Sequence, residues 1–126
     1  MGVILKKVII FSALLTFSLF SEDVKYKNGE ALYFGKGCLN CHGTDATGLH
    51  NYPSLAKRSK WDLKRRLFKY RSGVESSQQS LIMIPFAKNL SNQDIEDLSY
   101  YLENFTKDKD AEIYEIEYES WGDGGS

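Results

Sequence analysis

The sequence predicts a small helical domain, and three features carry that prediction. Apolar residues recur at helical spacing over 22–34, over 59–71 and again from 91 to about 105. The second and third stretches open on a serine with an acid three places later, a pattern that satisfies free backbone N–H groups at a helix start. The first two end on glycine, which accepts the left-handed turn that stops a helix. At 126 residues and a formal charge of −1 there is room for one domain, with apolar and charged fractions ordinary for a globular protein.

The first twenty-one residues stand apart. Lys6 and Lys7 precede thirteen uncharged residues, Val8 to Phe20, with small residues at Ser18 and Ser21 before polarity begins at Glu22. That is the layout of a secretory signal, and residues 1–21 are predicted to be one, cleaved near Ser21. Thirteen residues rise about 20 Å as a helix, short of the ~30 Å hydrocarbon core, so no permanent membrane span is expected. No cysteine lies at the exit to carry a lipid anchor. The mature domain, 22–106, then holds twelve basic and ten acidic side chains. A domain that small often needs a staple.

The helix predicted from Glu22 to Phe34 presents Gly29, Leu32 and Tyr33 at helical spacing and stops at Gly35 and Gly37. Gly29 reads either as a tolerated helix glycine or as the site of a close helix crossing. The chain then enters Cys38-Leu39-Asn40-Cys41-His42, which contains both cysteines of the protein. Thiols three positions apart reach the two vinyl groups of a haem edge, and the next histidine falls under the iron as fifth ligand. The run therefore reads as a c-type haem attachment site. A zinc or dithiol redox reading, using Cys38, Cys41, His42 and His50, is the competing chemistry. It lacks a following βαβ pattern and leaves the Met83 region unexplained.

Residues 42–56 read as a loop with Gly43, Gly48, Asn51 and Pro53 as turn-formers. A ligating histidine usually donates its second ring N–H to a carbonyl or carboxylate. Pro53 could present that carbonyl to His42, or be a plain turn proline. Ser59 to Asp62 opens the next helix, which runs to Arg71 with Leu63, Leu67 and Tyr70 on one face. Between Lys57 and Arg71 stand eight basic residues and one acid. Such a run reads as a solvated helix face or as a docking patch for an acidic redox partner. Nucleic acid is a poor candidate partner for an exported chain of net negative charge.

Residues 72–89 are irregular at first and then hold Leu81-Ile82-Met83-Ile84-Pro85-Phe86. Met83 is the sole methionine once the signal is removed. It reads as a core filler or as a thioether ligand that favours reduced iron; the attachment motif upstream and the lack of a rival favour the ligand. His50 is the fallback sixth ligand. The last helix opens at Ser91 with Asp94, Glu96 and Asp97 at its positive end. Ile95, Leu98, Leu102 and Phe105 form its stripe, and Leu98 and Tyr101 are placed to meet Gly29 and Tyr33. Residues 107–126 change character: seven acids stand against two lysines, interleaved with isoleucine, tyrosine and tryptophan. This acidic tail reads either as disordered or as a segment that docks, on the domain or on a partner.

Taken in order, Gly29-x-x-x-Tyr33, the Cys38–His42 motif, Gly48…Tyr52-Pro53-Ser54-Leu55-Ala56, Arg71-Ser72-Gly73, Met83 and Leu90–Ile95 with Leu98 and Tyr101 resemble the class I c-type cytochromes, specifically the small soluble monohaem proteins of bacterial periplasms. The resemblance covers roughly residues 24–105. It implies an all-α fold of three to four helices wrapped around one covalently attached haem c, with N- and C-terminal helices crossing. It also implies thioethers at Cys38 and Cys41, His42 and Met83 as axial ligands, and the Pro53 carbonyl on His42. Pro85 departs from the family, standing two positions after Met83 where many relatives have Met-Pro.

The function so implied is that of a periplasmic one-electron carrier, a monomer and not an enzyme, since six-coordinate iron leaves no open position. Its partners would be a membrane cytochrome complex and a terminal oxidase or peroxidase. The alternative is the haem subunit of a periplasmic oxidoreductase such as a flavocytochrome sulfide dehydrogenase, held to a flavoprotein partner. A ligand-sensing cytochrome with a weak or absent Met83 bond is a further reading.

Overall fold

Helix α1 (Gly2–Gly35) and the last helix, α6 (Asn92–Glu103), cross at Gly29, and the shorter elements hang from that crossing. The computed structural model describes residues 2–74 and 77–107, without the side chains of 11–19. Among these residues every regular element is helical: α2 (Leu39–His42), α3 (Lys60–Arg71), α4 (Gln78–Leu81) and α5 (Ile84–Ala87) lie between α1 and α6. The fold is all-α. The acidic tail expected over 107–126 lies, beyond Lys107, outside the described residues.

The crossing is close because Gly29 has no side chain. A Cβ there would overlap the Asp97 carbonyl oxygen and come within 2.5 Å of the Tyr101 Cβ. Tyr101 packs where its spacing placed it, with ring centroids 5.8 Å from Tyr33 and 5.0 Å from Tyr26. Beside Tyr101, the contact at Gly29 is made by the backbone of Asp97. Its buried carboxylate accepts from Asn28 Nδ2 at 3.3 Å and Gln93 Nε2 at 2.8 Å, so amides satisfy it inside the seam. Leu98 lines the cavity described below. Ile95 and Leu102 complete the buried stripe of α6, and Phe105, just past its end, is buried with them.

Helix α1 differs from the expected span of 22–34 by running unbroken from Gly2. No proline or glycine stands between Gly2 and Gly29, so nothing in the chain interrupts the ladder. No helix of the described residues is long and apolar enough to cross a membrane. After Gly35 the chain turns through Gly37, whose φ of 75° is left-handed. The Cys38 N–H then donates back to the Tyr33 carbonyl at 3.1 Å.

The two serine starts differ. In α6 the box is reciprocal, with Asp94 N–H on Ser91 Oγ at 3.0 Å and Ser91 N–H on Asp94 Oδ2 at 2.8 Å. In α3 only half of it forms: Asp62 N–H donates to Ser59 Oγ at 3.2 Å, but the Asp62 carboxylate is taken by Arg65 and Arg66. Helices α4 and α5, one turn each, fall in the stretch read as irregular; Ser77 caps the first, and Pro85 sits in the first turn of the second.

Candidate functional site

Beneath the crossing lies a cavity of about 600 Å³ lined by Cys38, Cys41, His42, Pro53 and Met83, all of the residues singled out in the sequence. His50 lines it too, although its own side chain is exposed. Leu63, Leu67, Leu98 and Leu102 give the cavity an apolar wall from α3 and α6. The fold therefore brings together, in one chamber, two thiols, an imidazole and a thioether that are separated by up to forty-five positions in the chain.

The motif is positioned from behind. Its last four residues form the single turn of α2, with His42 N–H donating to the Cys38 carbonyl at 3.0 Å. The buried Tyr33 hydroxyl donates to the Gly43 carbonyl at 2.6 Å, which ties the end of the motif to α1. Burial of that phenol holds it neutral far above neutral pH, so it remains a donor. Gly48 N–H donates to the His42 carbonyl at 2.8 Å, and Ala46 accepts from Leu55 and Ala56 at 2.8 and 3.0 Å. Gly48 itself, at φ 91°, has no room for a Cβ against the Tyr52 carbonyl.

His42 is 5% exposed, and its Nδ1 lies 2.8 Å from the Pro53 carbonyl oxygen. A carbonyl only accepts, so Nδ1 carries the proton and Nε2 keeps its lone pair available for a metal. The tautomer thus follows from the loop. Met83 is half-buried and precedes α5 as its N-cap.

The dithiol alternative does not fit. Burial, with a smaller push from Cys41, raises the Cys38 thiol to about 11, opposite to the lowered value that a reactive thiolate needs. Among the described residues no three His, Cys, Asp or Glu side chains gather to hold a metal ion. An apolar chamber with two thiols on its wall and one available imidazole nitrogen suits a flat, largely apolar macrocycle with iron at its centre.

Two lining features escaped the sequence reading. The Tyr33 hydroxyl was invisible, since periodicity gave its ring a packing role only. Arg58, Arg66 and Tyr70 of the basic segment also reach the cavity. Arg66 and Tyr70 share a helix side with Leu63 and Leu67, and that four-residue register was the available clue.

Comparison with known proteins agrees with this chemistry. A family model described as Cytochrome c matches residues 26–106. The chain is 38% identical over 65 residues to cytochrome c-554(548) of Halomonas halodenitrificans, covering 51% of this chain and 78% of that protein. It is 34% identical over 82 residues to cytochrome c-554(547) of Halothiobacillus neapolitanus, covering 59% of this chain and 89% of that protein.

Proposed function

The chain belongs to the cytochrome c family and is a haem c electron carrier; on that premise we propose an exported one-electron carrier with His42 and Met83 as axial ligands and Cys38 and Cys41 as thioether anchors. The haem supplies the one-electron couple. The residues of the chain fix it: the Pro53 carbonyl holds the His42 ring in one tautomer, and Tyr33 holds the turn that carries it. What most supports the ligand pair is that Met83 and His42 line the same cavity. A thioether is soft and neutral and favours reduced iron, so the pair would raise the reduction potential.

Residues 1–21 are the export signal in this reading, cleaved near Ser21, and the destination is the periplasm. Domain 22–106 carries the haem. Ile82 and Phe86 line the cavity and remain exposed at 49% and 44%. Together they offer a small apolar contact suited to a transient complex. The partners proposed are a membrane cytochrome complex as donor and a terminal oxidase or peroxidase as acceptor. A second reading, the haem subunit of a flavoprotein sulfide dehydrogenase, draws on residues 107–126 alone, which lie beyond the matched segment that ends at 106. A stably co-purifying flavoprotein would favour it; a clean monomer with fast, salt-sensitive exchange would remove it.

The deciding experiment is the mass of the denatured chain with its oxidised and reduced absorption spectra. One haem should remain bound after denaturation, and the oxidised protein should show a sulfur-to-iron charge-transfer band. Met83→Ala should abolish that band while the haem stays attached. A band that persists in the variant removes Met83 as ligand.

A further inference from the structure

Helix α3 sorts its charges by side. On the flank facing α6, Lys60 and Lys64 both pair with Glu96, and Lys60 N–H donates to the Glu103 carboxylate at 2.8 Å. Two lysines there meet two carboxylates. On the other flank one carboxylate, Asp62, serves three guanidiniums: Arg65 at 2.8 Å, Arg66 at 2.9 Å and Arg58 at 3.8 Å. Positive charge is in surplus on this second flank, where Arg58 and Arg66 border the cavity. Between the flanks, Trp61 is 72% exposed, with the Arg65 guanidinium 5.2 Å from its ring centroid. An indole and a guanidinium stacked on the surface form the kind of pair that anchors protein contacts.

The place where the chain leaves the described fold bears on what covers this surface. Lys57 N–H donates to the Leu102 carbonyl at 2.8 Å, and the Glu103 carboxylate holds the first N–H of α3. The end of α6 is thus pinned against the start of α3. Residues 108–126 follow within five positions of Glu103, the residue that holds that start. They carry seven acids and one lysine, with Ile113, Tyr114, Ile116, Tyr118 and Trp121 among them. Nineteen residues can span up to ~60 Å, whereas α3 is only about 18 Å long, so reach is no obstacle. Glu115, Glu117 and Glu119 alternate with Ile116 and Tyr118. An extended strand repeats each side every ~6.6 Å, close to the ~6 Å that separates Trp61, Arg65 and Lys69 along α3.

We propose that residues 108–126 dock intramolecularly on the outer face of α3, acids against Arg58, Arg65 and Arg66 and apolar residues against Trp61, covering the cationic surface beside the cavity. Tethering gives this segment a millimolar effective concentration at that face, an advantage over an acidic partner in solution, which must displace it. The inference goes beyond the assignment of the axial ligands and does not depend on it.

Zero-length carbodiimide coupling of the full-length holoprotein at micromolar concentration, followed by peptide mass spectrometry, tests it. Acids of 108–126 should couple within one chain to Lys57 and Lys69. The yield should fall about tenfold in 1 M salt, where the screening length drops to about 3 Å. It should fall similarly in a Trp61→Ala/Arg65→Gln variant whose circular dichroism and haem spectrum are unchanged. Three outcomes overturn the proposal: equal coupling to Lys25, Lys27, Lys36 or Lys88, no coupling to lysine at all, or coupling found only in dimers. The last would assign the face to a second copy.

Discussion

The two walls of the cavity are held in different ways. On the His42 wall, contacts come from two separate parts of the chain: Tyr33 of α1, at 2.6 Å on Gly43, and the loop that supplies both Pro53, at 2.8 Å on His42, and Leu55, at 2.8 Å on Ala46. On the Met83 wall, bonds such as Ala87 N–H to the Met83 carbonyl at 3.0 Å stay within a single turn. That wall is tied to α3 through Arg71, which donates to the Leu90 carbonyl at 2.9 Å and to Asn92 at 2.8 Å. The difference teaches that His42 is fixed by tertiary structure, while Met83 sits on a local loop. Local structure opens at lower free energy than the core does, so amides of 78–90 should exchange faster than those of 42–56.

The comparison can be broken outright at the shared support. Gly29→Val drives a side chain into the Asp97 backbone and the Tyr101 Cβ, atoms that cannot swing aside. It should cost at least about 3 kcal/mol in guanidinium unfolding and loosen both walls together. Tyr33→Phe should sharpen the contrast from one side. It leaves the Gly43 carbonyl without its buried donor, at about 2 kcal/mol, and should speed exchange in 42–56 but not in 78–90. Arg71→Gln is the opposite case: about 1 kcal/mol, with faster exchange confined to 78–90.

The smallest expected effect is on acid stability. Hydrogen bonds from Lys60 and then Lys64 hold the Glu96 carboxyl down to about 2 from its ordinary value near 4.5. A carboxyl that ionises more readily when folded stabilises the fold above its unfolded pKa. That contribution is complete above about pH 4.5 and fades as pH falls to about 2. Glu96→Gln should therefore lower stability at pH 7 by about 1 kcal/mol or less, and match the parent near pH 2. A constant gap across that range would show that the pair is not the cause.

The features legible in the sequence were those with short-range causes. Ser91 and Asp94 announced α6 because a capping box needs only four residues, and the attachment motif needs only five. Gly29 and Tyr101 were paired correctly because each lies on an unambiguous helix stripe. Asp97 was missed as the third member, since a carboxylate at a crossing contradicts hydrophobic patterning until Asn28 and Gln93 are known to satisfy it. The one-turn helices α4 and α5 were missed because four residues carry no period. At Asp62 the local rule was half overridden by arginines on the next turn.

The place where α1 meets α6 has a consequence for how the domain comes apart. The ends of a domain are ordinarily its most expendable parts, the first to fray and the safest to trim. Here Tyr26 and Phe105, near the two ends of the matched segment, are both packed into the core around Tyr101. The domain is closer to a ring clasped at its ends than to a rod with loose tips. Shortening either side of the clasp should open the whole ring at once, so that the loss is shared by the haem chamber and never confined to the tip.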